Sequence, residues 1–187
     1  MAWLWLIVRV YVAYEWLTAG WEKLTGHSIA IGSFGEATGT PWVFNAHAGT
    51  AIKGFVKGAL ALSTGAHPSV QSWYAVFLQQ VVLPNDTVFA YIITFGEILV
   101  GLGLLFGVLT GIASFFGLFM NVSYLFAGTV SINPVLGVLT IFLVLAWRIA
   151  GYYGGDRYLL PLIGTPWTGS LEKRYREQLR VNGSLAS

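Results

Sequence analysis

Between Val88 and Leu109 the chain reads VFAYIITFGEILVGLGLLFGVL, and its single ionisable side chain, Glu97, stands near the middle. At roughly 1.5 Å per residue such a helix is about 33 Å long, close to the roughly 30 Å of a bilayer's hydrocarbon core. The segment has no polar face, so it is not a surface helix of a soluble domain. Composition points the same way: 56% of the 187 residues are hydrophobic and 10% are charged, against about 25% charged in a soluble domain. A carboxylate at mid-depth costs roughly 2.5 kcal/mol or more if ionised. A group elsewhere in the chain must therefore offset the charge of Glu97.

Three further apolar segments predict spans: 2–24, 110–127 and 134–153. With 88–109 they predict an all-α integral membrane protein, a four-transmembrane-helix bundle forming a single membrane domain over 1–160. The start of the chain has no basic flank and is read as a retained first span rather than a cleaved leader. Trp3, Trp5, Trp16 and Trp21 suit the two interfaces of that span. The second and third spans are joined by almost nothing, so they must be antiparallel neighbours. Gly103, Gly107 and Gly111 recur there at fourfold spacing and permit close backbone approach.

Residues 25–86 form an insertion of different character, expected to fold onto the outer membrane surface. Ile52, Phe55, Val56, Ala59 and Leu60 have helical spacing, with Lys53 and Lys57 on another face, which predicts an amphipathic helix over 48–62. Val70, Trp73, Phe77 and Val81 repeat the pattern over 69–83. Pro84-Asn85-Asp86 is expected to end that helix, with Asn85 or Asp86 capping the next. In the tail, 161–187, Leu171, Tyr175 and Leu179 alternate with Lys173, Arg174, Arg176 and Arg180, predicting a basic interfacial helix facing anionic lipid. The basic residues after the fourth span place the C-terminus in the cytoplasm, and four spans return the N-terminus to the same side.

Four ionisable residues fall inside the predicted spans: Arg9, Glu15, Glu97 and Arg148. The simplest arrangement pairs Glu97 with Arg148 or Arg9. One reading is a structural ion pair that fixes helix register. The other is a polar pocket that binds a quinone head group or relays a proton, with Tyr91 and Tyr124 among its aromatic walls and Asn121 lining it. Asn121 equally suits an interhelical hydrogen bond.

Several chemistries are excluded. The chain has no cysteine, hence no disulfide, thiol nucleophile or thiolate-ligated iron–sulfur cluster. Haem and flavin motifs are absent, as are phosphate-binding loops and nucleophile elbows. His27, His47 and His67 stand too far apart in sequence for a local metal site. A net charge of +2 does not suggest nucleic acid. The spans show no inverted repeat and no helix broken at mid-membrane, which disfavours a small transporter.

Arg9 followed by Glu15-Trp16-Leu17-Thr18-Ala19-Gly20-Trp21-Glu22-Lys23-Leu24 resembles the first-helix pattern of the DoxX/DoxD membrane-protein family. Gly96-Glu97 with the Gly-Leu-Leu-Phe-Gly run at 103–107 is similar to its second helix. Met120 to Gly128, followed by Ser131-Ile132-Asn133-Pro134, is similar to its third helix and exit. The resemblance covers the four spans and includes the small subunit of thiosulfate:quinone oxidoreductase. It implies a multi-pass protein of the prokaryotic inner membrane. For one branch it implies a quinone-facing subunit of an oxidoreductase, working with other subunits of a membrane complex. For another it implies an accessory subunit or scaffold of a redox complex.

Overall fold

The computed structural model describes residues 2–164; the expected tail helix lies outside them. Among the described residues the chain is helical, with one isolated bridge between His27 and Ala37. Helix α1 covers Ala2–Thr25, α2 Thr50–Ala61, α3 Ser72–Phe77, α4 Asp86–Phe106, α5 Thr110–Phe126, α6 Asn133–Leu145, α7 Trp147–Ala150 and α8 Asp156–Leu162. The principal packing partners are α1 with α4 and α5 with α6, and α4 joins the two pairs through α5.

Helix α1 runs antiparallel to α4, and glycine sets how close they come. A Cβ on Gly20 would lie 2.8 Å from Ile98 Cγ1 and 3.0 Å from the Ile98 backbone nitrogen, and one on Gly101 2.6 Å from Leu17 Cγ. Small residues at such crossings exchange side-chain volume for backbone-to-backbone contact, the main attraction available between helices in lipid. Gly20→Val is accordingly expected to destabilise the protein by about 1–3 kcal/mol through overpacking. Gly58→Ala, where the added carbon meets nothing within 4 Å, should melt like the parent. Thermal unfolding of both variants in one detergent checks this, and equal melting would show that the α1–α4 contact yields freely.

Two apolar clusters result. Val12, Ala13, Trp16, Val100, Leu104, Ala113, Leu136 and Leu143 fill the centre of the bundle. Ile52, Val56 and Ala59 of α2 pack with Val70, Tyr74, Leu78, Val82 and Ala90 in the other. The helix expected over 48–62 thus forms with its apolar stripe inward. Lys53, on the other face, meets Asp86 Oδ2 at 3.0 Å.

The segment before α4 departs from expectation. Pro84 does not end a helix: a π turn over Leu78–Val82 and a 3-10 turn over Leu83–Asn85 carry α3 into α4, so Ser72–Phe106 is one helical run of 35 residues. Proline lacks the N–H and crowds the preceding turn, and widening that turn relieves both problems. The Asn85 side chain does not cap α4; its Nδ2 donates backwards to Val81 O at 2.8 Å and occupies a carbonyl loosened by the irregularity. Among the described residues this run alone is long and apolar enough to cross a bilayer by itself.

The helix expected over 134–153 is also interrupted. Ala146 (φ −92°, ψ 14°) separates α6 from α7. The carbonyls of Ala150 and Tyr153 beyond it turn to Arg9, whose Nη1 and Nη2 donate to them at 2.9 Å each. Nor does the whole of the first loop lie outward from the helix end. Residues 26–39 turn back along α1, where Ile31 N–H donates to Tyr14 Oη at 2.8 Å.

Candidate functional site

Three side chains from three helices meet at Glu97. Its Oε1 accepts from the Tyr124 hydroxyl at 2.7 Å, and its Oε2 lies 2.7 Å from Lys23 Nζ. The Glu97 side chain is 1% exposed and that of Lys23 17%. Helix spacing explains the meeting. Gly20 packs on Glu97 and Ile98, and Lys23 follows one turn later on the same face of α1. Gly96 faces Met120 Sδ at 3.1 Å from where its Cβ would stand, and Tyr124 follows Met120 by one turn of α5. The Lys23 ammonium also contacts Ala19 O at 3.3 Å and stands 5.0 Å from the centroid of the Trp42 ring. Its four-carbon stem carries the charge inward from the end of α1, the reverse of the usual outward snorkelling.

The trio borders a cavity of about 310 Å³ walled by Trp16, Trp42, Phe55, Ile93 and Leu136. Glu15 is on its wall, as are Thr129, Ser131 and Asn133 from the α5–α6 turn. Two buried polar atoms near it have no protein partner among the described residues: Trp16 Nε1, a donor, and Asn121 Oδ1, an acceptor. Asn121 Nδ2 donates to Asn133 Oδ1 at 3.2 Å, and Asn133 Nδ2 to Thr129 O at 2.9 Å. The cavity is therefore mostly apolar, with a carboxylate, an ammonium and a phenol on its wall, while the Nε1 edge of Trp16 lies against Gly117 of α5. That combination suits a flat, polar-edged ring.

Of the residues singled out in the sequence, Glu97, Glu15 and Tyr124 converge here, and Asn121 is one hydrogen bond away through Asn133. The other three do not converge, and the pairing of Glu97 with an arginine is not the one formed. Arg9 is buried beside Gly107, ten residues along α4 and hence about 15 Å from Glu97. Arg148 is exposed and stands 5.1 Å from the centroid of the Trp147 ring. Tyr91 Oη accepts from Phe44 N–H at 3.1 Å and anchors the loop ahead of α2. Antiparallel packing of α1 on α4 accounts for the difference. It brings the end of α1, with Lys23, to the middle of α4 and carries Arg9 to its C-terminal end.

Asp156 is the other residue that sequence spacing did not reveal. Its Oδ1 accepts from Leu109 N–H at 2.6 Å and its Oδ2 from Thr110 N–H at 2.8 Å, which caps the first turn of α5 from a distant segment. Gly155 N–H donates to Phe106 O at 3.0 Å and Asp156 N–H to Gly107 O at 2.7 Å. The α4–α5 turn is thereby clasped by the 154–156 loop. Gly107, with φ +63°, leaves room there for the Arg9 guanidinium, which an added Cβ would overlap. The Gly154-Gly155-Asp156 string was the available signal, but it stands at the start of α8 and so reads as a local helix start rather than as the cap of α5.

No curated protein and no solved structure matches the chain. The DoxX family model matches residues 4–130, which include α1, α4, α5 and every side chain of the Lys23–Glu97–Tyr124 trio. The matched stretch is more than half of the sequence, and the chain belongs to the DoxX membrane-protein family.

Proposed function

We propose that this protein is the membrane subunit of a quinone-linked oxidoreductase, of the kind represented by thiosulfate:quinone oxidoreductase, and that the cavity beside Glu97 receives the quinone head group. The observation that carries this reading is the Lys23–Glu97–Tyr124 trio on the wall of an otherwise apolar cavity. These residues fit such a ring. The Lys23 ammonium would donate to a carbonyl oxygen, Glu97 would accept from a hydroxyl, and Trp16, Trp42 and Phe55 would cover the faces. When bound, a quinone supplies two-electron redox chemistry coupled to protons. Glu97 and Tyr124 hold protons at defined atoms of the site, and Lys23 steadies the carboxylate while it is charged. With no cysteine in the chain, chemistry on a sulfur-containing donor belongs to a partner subunit.

In this reading α1, α4, α5 and α6 with α7 are four spans of a multi-pass protein of the prokaryotic inner membrane, with both termini cytoplasmic. Exposed apolar side chains on these helices, such as Ile92, Leu99, Phe115, Phe119, Val138 and Ile141, support a lipid-facing surface. A second reading, a non-catalytic accessory subunit, draws on the fact that both oxygens of Glu97 already have protein partners. Quinone retention separates the two. Purified in mild detergent, the wild type is expected to yield extractable quinone near one per chain, and Glu97→Gln about tenfold less. A wild type without quinone would leave the accessory reading standing.

A further inference from the structure

The segment 26–39 has the form of an insertion device. From Thr25 back to Tyr14 is about 16 Å of helix at roughly 1.5 Å per residue, and the bond from Ile31 N–H to Tyr14 Oη ties the tip of the segment back to this part of α1 through the tyrosine side chain. The base is closed by the His27–Ala37 bridge and by Thr38 N–H donating to Gly26 O at 2.8 Å. Toward the tip, Ser28 N–H donates to Glu36 O, Gly35 N–H to Ser28 O, Ser33 N–H to Ala30 O and Ala30 N–H to Ser28 Oγ. The base of the hairpin is thus satisfied internally, whereas the N–H groups of Gly32 and Phe34 at the tip donate to no protein group among the described residues, so the backbone there stays within reach of water and head groups while the side chains reach deeper. No charged residue lies between Ser28 and Gly35. The two largest side chains of the tip point away from the protein: Ile31 is 91% exposed and Phe34 81%. His27 and Glu36 stay at the base. Leu4, Ile7 and Tyr11, on the side of α1 that leads to Tyr14, are also exposed and extend the apolar surface of the tip along the helix.

We propose that this hairpin is a lipid-inserted element, and that Ile31 and Phe34 enter the acyl region of the outer leaflet beside α1. Its partner is the bilayer rather than a protein or a second copy of the chain. The fold-back along α1, neutrality of the tip, exposure of Ile31 and Phe34 and continuity with the exposed face of α1 together select that partner. A surface-lying loop would instead place its apolar residues toward the membrane plane, without folding back along a spanning helix. The inference is independent of what the cavity binds, and it rests on α1 crossing the membrane.

Because the chain has no cysteine, single labelling sites are available in the full-length protein. Phe34→Cys, Thr38→Cys at the base and Val10→Cys on the exposed face of α1 would be reconstituted in liposomes and treated with a membrane-impermeant maleimide. Phe34→Cys and Val10→Cys are expected to react at least about tenfold more slowly than Thr38→Cys, as groups outside water do. A nitroxide at position 34 should be relaxed by oxygen more than by a water-soluble nickel chelate. Rapid labelling at 34 with protection at 10 overturns the hairpin proposal alone, whereas rapid labelling at both overturns the span assignment of α1 with it. Protection at 34 accompanied by dipolar broadening between nitroxides of two chains overturns it in favour of a self-association surface.

Discussion

Glu97→Leu is expected to lower stability by about 3–5 kcal/mol, the cost of leaving one member of a buried ion pair uncompensated. Lys23 would keep its ammonium 17% exposed with the carboxylate gone, and Tyr124 Oη would lose its acceptor. Glu97→Gln should be milder, because the amide oxygen still accepts from Tyr124, although the Lys23 charge is unanswered. The double variant Lys23→Met/Glu97→Leu should recover much of the loss, since replacing both members of a buried pair by apolar groups is often near neutral. Thermal melting and yield in detergent of the three variants would measure this. If Glu97→Leu and Glu97→Gln behave alike, or if removing Lys23 as well brings no recovery, the pair contributes nothing to the fold. Recovery of stability in the double variant without recovery of bound quinone would separate the structural role of the pair from its role in the cavity.

Asp156→Ala should be comparably damaging, by about 3 kcal/mol or more. It strips the acceptor from two main-chain donors, each bonded to a charged group and worth roughly 1.5–3 kcal/mol. The donors are the N–H groups of Leu109 and Thr110, and Thr110 is fully buried. Asp156→Asn retains one acceptor and should lose about half as much. A non-polar substitution at the exposed neighbour Arg157 is the control. Melting of Asp156→Ala at the parent temperature would show that the turn between α4 and α5 is held without the carboxylate, by the Gly107 bend and the main-chain bonds from Gly155 and Asp156.

Much of this architecture was legible because the signals were local. The apolar stripe of α2 predicted its buried face, and the near-absence of a linker after Gly107 predicted that α4 and α5 are antiparallel neighbours. Glu97 was conspicuous because nothing around it in sequence could solvate it. Its partner was not legible, because partner choice depends on the register of α1 against α4, which Gly20 and Gly101 set through contacts with Ile98 and Leu17. Charge type and depth alone favoured arginine. Lys23, counted from the end of a helix, looked interfacial until the stem length and the crossing were known. Pro84 misled for a related reason: a proline forbids one hydrogen bond, and a π turn with the Asn85 amide offers another way to satisfy the carbonyls. Asp156 serves a helix start 46 residues earlier, and no periodicity reports that distance.

The clasp at the α4–α5 turn also fixes an order of events during synthesis. Arg9 leaves the ribosome long before its two carbonyl acceptors, on Ala150 and Tyr153, which follow it by 141 and 144 residues. The donors at the start of α5 likewise wait for Asp156. Until residues 150–156 are made, the bundle therefore carries a guanidinium and an open helix end without these partners. The Lys23–Glu97–Tyr124 cluster can form before that, but the polar contacts at the α4–α5 end close only when residues 150–156 arrive.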